Sequence, residues 1–224
     1  MTTNDKIHAG GIATRIVHAF RRLDAFEQHL ALELYRLLAV GQPVPRELLA
    51  ERLHVSVGRV NGSLNTWPGV YSNHERRIVG FWGLSLPSAY ASPHQLVIEG
   101  EKLSAWCAWD TLFLPHLLGK TAEVESTSPI GGNTVTLKVT PERVAHVDPN
   151  DACMSFLLPD VTAFQKDVIG SFCHFVHFFP SRQEGESWIE EHKGTILLSI
   201  DEGLFVAQRK NELQFAAKFS VLGA

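Results

Sequence analysis

The first ninety residues place apolar positions at the spacing of amphipathic helices. Apolar side chains recur every three or four residues over about Ile12–Val40, which predicts either one bent helix or two helices. Pro45 is typical of a helix start, and Ser56 is a typical N-cap for the short helix expected after it. Residues 76–86 predict a β-hairpin. Residues 1–90 therefore predict a winged helix-turn-helix-like module.

After Pro93 the pattern changes to short runs typical of strands. Strands are predicted over 94–99, 121–126, 134–140, 153–158 and 195–200, with a turn at 131–133. A helix over 103–115 interrupts them, a second helix over 186–192 precedes the last strand, and a helical C-terminus follows. Residues 87–93 contain two prolines and predict a linker. We therefore expect an α+β fold, with a second domain over 91–224 built on a mixed or antiparallel sheet with flanking helices.

Composition narrows the classes of function. The chain has 224 residues, a formal net charge of −4 and three cysteines. An acidic chain has no global attraction to nucleic acid or anionic lipid. The arginines of the N-terminal module are interleaved with acids, so we expect this module to serve packing and to have no role in DNA binding. No apolar run is long enough to span a bilayer, and an odd number of irregularly spaced cysteines indicates reduced thiols. A cytoplasmic protein that binds neither nucleic acid nor membrane is the expectation.

Two cysteine segments carry the candidate chemistry. Cys107 precedes Asp110 by three positions in an apolar stretch, and on the predicted helix residues three apart share a face. Cys173 lies 66 residues later among four phenylalanines, where burial would raise the pKa of its thiol. Cys153 lies in a predicted strand, and we expect it to be a buried structural residue. A thiol and a proton donor could therefore point into one cavity.

The segments over 103–115 and 171–179 resemble the two signature segments of the organomercurial (alkylmercury) lyases nearly position for position. The similarity extends over about residues 30–205 and is far more specific in the two cysteine segments. Carried over by position, the resemblance implies Cys107, Asp110 and Cys173 as catalytic residues. Some family members have cysteines where this chain has Ser128 and His174, so the chain departs from the pattern outside that trio.

The resemblance implies an enzyme of mercury detoxification that cleaves the carbon–mercury bond by protonolysis. Two thiolates would bind the soft metal while Asp110 delivers a proton to the leaving carbon. The Hg(II) product would rest on Cys107 and Cys173, with Asp110 as a third candidate ligand, until external small thiols remove it. No organic cofactor is expected, and mercuric reductase is a candidate acceptor. Trp106, Phe172 and Phe175 are the candidate walls of the pocket.

Two other functions stay open at this point. A zinc site could use Cys107, Cys173, His174 and His177, although no local chelating pair is present and Asp110 would have no role. A regulator could read DNA with its N-terminal module and sense a thiophilic metal with the cysteine pair. The preference between alkyl and aryl substrates, the oligomeric state and the role of His174 do not follow from the sequence.

Overall fold

The computed structural model describes residues 3–219 and contains ten α-helices and eleven strands in that range. The helices are α1 Thr3–Ala19, α2 Ala25–Leu38, α3 Arg46–Arg52, α4 Val57–Leu64, α5 Asp110–Leu118, α6 Val161–Lys166, α7 Val168–Ser171, α8 Arg182–Glu191, α9 Ile200–Gln214 and α10 Ala216–Phe219. The strands are β1 Val70–Ser72, β2 Ile78–Phe81, β3 Leu84–Ser85, β4 His94–Ile98, β5 Glu101–Ala105, β6 Ala122–Thr127, β7 Thr134–Val139, β8 Val144–Asp148, β9 Cys153–Leu157, β10 Phe178–Phe179 and β11 Thr195–Ser199.

The strands form two antiparallel sheets. The larger has eight strands in the order β1-β2-β3-β5-β4-β6-β7-β8, and the smaller has the order β10-β9-β11. Alternate residues of β6 are buried, as expected of a strand with one face on the core and one facing outward. The predicted α+β class is confirmed.

The N-terminal half forms the elements that its pattern predicts. Two helices occupy the first amphipathic stretch, and a capping box of Asp24 and Glu27 starts the second one. Ser56 caps α4 by accepting a hydrogen bond from the Arg59 amide, and β2 and β3 form the predicted hairpin. The hairpin continues into the larger sheet, because Leu84 of β3 pairs with Ala105 of β5. The division of the chain at residues 87–93 and the winged-helix likeness stay predictions.

The helix predicted over 103–115 was wrong in its first half. Residues 101–105 are strand β5, which pairs with β4 through the two-residue turn Glu99-Gly100. Both turn residues have positive φ, 52° and 89°, which is the geometry that closes a tight antiparallel hairpin. Helix α5 begins at Asp110 and ends at Leu118, and Gly119 caps it with φ of 70°. Cys107 therefore lies in the turn between β5 and α5, outside any helix.

No helix among residues 3–219 combines the length and apolar character needed to cross a membrane.

Candidate active site

Cys107 and Asp110 meet through a hydrogen bond at the start of α5. The backbone N–H of Cys107 donates to Oδ2 of Asp110 at 2.8 Å. The carboxylate folds back over the turn and accepts this bond near the positive end of the helix, where negative charge is favoured. The sequence separation of three residues was the right signal, but the contact depends on this turn and not on a shared helix face.

Gly83 makes room for the carboxyl group. It follows β2 in the hairpin with φ of 94°, and a Cβ added to it would lie 2.6 Å from Cγ of Asp110. Its carbonyl also accepts a hydrogen bond from the Trp106 amide at 3.0 Å. A glycine in the N-terminal half therefore supports a site whose side chains come from the C-terminal half.

Cys173 reaches the same place from the second segment. It begins a 3-10 turn, Cys173–Phe175, which follows α7 after one residue. The two segments are joined by a hydrogen bond of 3.1 Å from the Ala108 amide to the Val176 carbonyl. Ser155 of β9 also holds the second segment in place, since its hydroxyl donates a hydrogen bond to the Phe175 carbonyl at 2.8 Å. Backbone contacts thus align two segments that are distant in sequence.

The structure brings the predicted trio together. One ligand atom from each of Cys107, Asp110 and Cys173 lies within 4.8 Å of the others. The exposed fractions of the three residues are 0%, 5% and 3%. Both thiols are free, so no disulfide blocks them. Two soft sulfurs and one hard oxygen, all shielded from water, suit a thiophilic metal beside a proton carrier.

Burial controls the proton affinities of the site. It raises the pKa of Asp110 to about 6, against hydrogen bonds from Cys107 and the positive charge of Lys210, which lower it. Burial also raises the pKa of Cys107 well above its ordinary value, and the contact with Cys173 and the charge of Asp110 raise it further. The pKa of Cys173 is raised by burial and lowered by the hydrogen bond from Cys107. In the resting site the thiols therefore hold their protons.

A small cavity of about 20 Å³ lies beside the trio and has room for about one water molecule. Of the predicted walls, Trp106 and Phe172 line it. Phe175 is not among its lining residues, and its ring packs against His192 with centroids 6.1 Å apart. Trp106 also lines a neighbouring cavity of about 460 Å³, so one indole side chain borders both spaces.

The histidines of the alternative zinc site are not part of this cluster. Among the described residues, the group with metal-ligand geometry consists of the two cysteines and the aspartate alone. His174 is exposed, and Nε2 of His177 lies 2.8 Å from the carbonyl oxygen of His174. Cys153 is 5% exposed in β9, where it donates to the Ser181 carbonyl at 3.5 Å, as expected for a structural residue.

Lys210 is a residue near the site that the sequence reasoning missed. It is 1% exposed, and Asp110 is the charge that acts on it. The sequence carried a signal for Lys210. The buried residues of α9 follow the three- and four-residue spacing of one helix face, and Lys210 is one of them. The members of this buried stripe are Gly203, Val206, Ala207, Lys210, Asn211 and Gln214.

Comparison with known proteins identifies the family of the chain. The MerB family model, described as alkylmercury lyase, matches residues 88–210. The alkylmercury lyase of Staphylococcus epidermidis is 37% identical over 169 residues, 75% of each chain. That of Pseudomonas putida is 38% identical over 172 residues, 77% of this chain and 78% of its own. This chain belongs to the alkylmercury lyase family.

The fold of this family member also has a solved counterpart. The crystal structure of the mercury-bound form of MerB2 superposes with a TM-score of 0.74 at 19% sequence identity. The match covers 92% of this chain and 98% of that one. At this level of identity the likeness shows a shared fold.

Proposed function

We propose that this alkylmercury lyase family member cleaves the carbon–mercury bond of organomercurials by protonolysis, as part of mercury detoxification. One observation carries the proposal: two cysteine sulfurs and the Asp110 carboxylate converge within 4.8 Å in the buried core. The balanced reaction converts R–Hg–X and two thiols into R–H, HX and Hg(II) bound by two sulfurs. Family membership supports the same reaction.

Cys173 is the better candidate for the first attack on mercury. Asp110 is hydrogen-bonded to Cys107, so it is placed to take the proton of that thiol in the later step, which leaves Cys173 for the first step. A thiolate is the nucleophile and the metal ligand, so Cys173 gives up its proton as it binds mercury. The substrate's ligand X leaves with the proton of Cys173 as HX.

Asp110 then moves one proton in two steps. Its carboxylate accepts the proton of Cys107, with which it already shares hydrogen bonds, and the second sulfur joins mercury. Electron density from two sulfurs weakens the carbon–mercury bond, and protonated Asp110 gives its proton to the leaving carbon. A pKa of about 6 suits both steps, because near neutral pH the group can accept and release a proton.

The cycle closes when external small thiols exchange with the two cysteines and remove Hg(II), with mercuric reductase as the proposed acceptor. Such thiols are abundant in the cytoplasm, where we place the reaction. The resting cavity is too small for an organomercurial, so its lining, which includes Trp106 and Phe172, must open to admit one. Phe175 is retained as a candidate wall of the opened pocket. The cycle needs no organic cofactor.

A headspace assay for the released hydrocarbon tests this function. We expect the wild-type protein to release hydrocarbon from an alkyl- or arylmercury compound in the presence of excess thiol. We expect Cys107→Ser, Cys173→Ser and Asp110→Ala to lose nearly all of this activity, because each removes one of the three reacting groups.

Cys153→Ser is the matched control, since it removes a buried thiol outside the cluster and should keep the wild-type rate. Full activity of Cys173→Ser would overturn the two-sulfur mechanism. Wild-type protein that releases no hydrocarbon from either class of substrate would overturn the proposed function.

A further inference from the structure

Lys210 is a buried cation that the proposed cycle does not use. Its Nζ lies 4.0 Å from the ring centroid of Phe113 and 4.9 Å from that of Phe20. The rings of Phe215 and Trp109 follow at 5.7 and 6.0 Å. Four aromatic faces can stabilise an ammonium group, but they do not replace the water that it loses on burial. A fully buried lysine therefore keeps its charge only with the help of a nearby negative charge.

The aromatic cage around Lys210 is also the back wall of the active site. Two of its rings, Phe20 and Trp109, line the small cavity together with Asp110 and Cys173. The ring of Phe113 adjoins the carboxyl group as well, since a Cβ on Gly83 would lie 2.6 Å from Cγ of Asp110 and 3.0 Å from Cζ of Phe113. The ammonium and the carboxylate thus lie on neighbouring parts of one cluster of rings.

Hydrogen bonds through Asn211 link the ammonium group of Lys210 to α5. Its Nζ donates to Oδ1 of the neighbouring Asn211 at 3.4 Å. The amide nitrogen of Asn211 in turn donates to the Phe113 carbonyl at 2.9 Å and lies 3.2 Å from Nδ1 of His116. Two residues of α9 are therefore held against the helix that begins with Asp110, which keeps the cation close to the site.

The proposed cycle keeps the charge of the site constant. Before substrate binds, Asp110 is a carboxylate and both cysteines are neutral, so the trio carries one negative charge. When two sulfurs hold R–Hg and Asp110 holds the proton, the charge is still −1 but lies on the mercury–sulfur group. After the hydrocarbon leaves, the carboxylate carries it again. Every stage therefore places one negative charge in an apolar core.

We propose that Lys210 is a positioning residue that balances this charge: its caged ammonium stabilises the buried site while the negative charge moves between Asp110 and the mercury–sulfur group. The inference rests on the proposed function and deepens it. The electrostatics agree, because the negative charge of Asp110 raises the pKa of Lys210, which burial lowers to about 7. Lys210 in turn lowers the pKa of Asp110 against the effect of burial.

A double-mutant cycle in thermal stability tests the pairing without requiring activity. The cycle compares wild type, Lys210→Met, Asp110→Asn and the double variant by melting temperature. We expect Lys210→Met to cost more stability in the wild-type background than in the Asp110→Asn background, because only the first leaves a buried carboxylate without its counter-charge. Equal shifts in both backgrounds would show that Lys210 acts through packing alone and would overturn the proposal.

The same cycle remains decisive if Lys210→Met does not fold. Folding of the double variant but not of the single one would support the pairing. Failure of both Lys210→Met proteins to fold would mean that Asp110 does not decide the cost, and would overturn it.

Activity measurements then separate this proposal from the function on which it rests. We expect Lys210→Met to lower kcat by about 10-fold or more with a smaller change in KM, since the charge is stabilised mainly after substrate has bound. Lys138→Met, which removes an exposed lysine of β7, is the control for loss of one positive charge and should keep the wild-type kcat. An active wild type with an equally active Lys210→Met would overturn the role of Lys210 alone. An inactive wild type would overturn the function itself.

Discussion

The three buried thiols of this protein lie in two different environments. Cys107 and Cys173 meet each other and a carboxyl group, whereas Cys153 donates to a backbone carbonyl near the surface residue Arg182. Burial raises the pKa of Cys153 to about 11, against the charge of Arg182, which lowers it. All three thiols are therefore protonated at rest. The difference is that Asp110 is hydrogen-bonded to Cys107, whereas the carboxylates near Cys153, those of Asp151, Glu184 and Glu186, act on it through their charges.

Each environment also depends on a glycine. A Cβ on Gly83 would lie 2.6 Å from Cγ of Asp110, and a Cβ on Gly185 of α8 would lie 2.9 Å from Sγ of Cys153. The first glycine has a positive φ and sits in a hairpin, whereas the second is helical. The close approach of a polar or thiol side chain to a glycine is therefore common to both regions. Reactivity should belong only to the region in which a carboxyl group is hydrogen-bonded to a cysteine, and four predictions test this difference.

The largest expected effect comes from removing the acid while keeping both sulfurs. Asp110→Asn should lower kcat for hydrocarbon release by about 10³-fold, because no group can carry the proton from Cys107 to carbon. Binding of Hg(II) should persist at one ion per chain, since the thiols remain. A headspace assay and equilibrium dialysis measure the two properties. If Asp110→Asn kept the wild-type kcat, the carboxyl group would not be what distinguishes the two thiol environments.

Gly83→Ala should have the next largest effect. An alanine at φ of 94° is strained by about 1–2 kcal/mol, and its Cβ would displace the Asp110 carboxyl group. A misplacement of about 1 Å costs about 10²-fold in rate. We expect a loss of that order in kcat together with a lower melting temperature. A destabilised protein with the wild-type kcat would show that the position of the carboxyl group does not limit the reaction.

The fold shows where sequence patterns are sufficient. Strands β4, β6, β7, β9 and β11 were predicted from apolar alternation, within one residue at most ends. Strand β8 was missed because none of its five residues is buried. Strand β5 was missed because its three buried residues were assigned to the helix predicted over 103–115. The error at β5 also moved Cys107 onto a helix. The two-residue Glu99-Gly100 turn was the local signal that would have corrected it, since Gly is typical of this hairpin turn.

The sequence indicated which residues meet in the candidate site, but not how they are arranged. Resemblance to the family supplied Cys107, Asp110 and Cys173, and the structure brings them together. Nothing in the chain pattern could place Cys173 beside Asp110, because their meeting depends on long-range strand pairing. Lys210 could have been found from the buried stripe of α9, but a lysine on an apolar face has no evident partner until the neighbouring helix is known.

Lowering the pH should have a smaller, graded effect on kcat. Asp110 must be ionised to accept the proton of Cys107, and its pKa is raised from 3.8 to about 6. Below about pH 6, kcat should therefore fall by about 10-fold per pH unit, where an ordinary aspartate would stay active to about pH 4. Hydrocarbon release measured between pH 4.5 and 8, with recovery of activity at pH 7.5 as the control for unfolding, tests this. A flat profile down to pH 4.5 would show that Asp110 is not the acceptor.

The smallest effect is expected in the environment of Cys153. Gly185→Ala gains helix propensity of up to about 1 kcal/mol, but its Cβ would lie 2.9 Å from both Sγ of Cys153 and Cδ2 of Leu197. Crowding of this kind costs about 1–3 kcal/mol, so the net loss of stability should be about 1 kcal/mol. Chemical denaturation measures it, and kcat should not change.

The double variant Gly185→Ala, Cys153→Ala identifies the cause of that loss. Removing Sγ opens the space that the new methyl group needs, so the double variant should recover part of the stability lost by the first substitution. Hydrocarbon release should stay at the wild-type rate in both proteins, because neither change touches a sulfur or oxygen of the reacting trio. A fall in kcat of more than about 3-fold in either protein would connect Cys153 to the reaction. The contrast between the two thiol environments would then be one of degree.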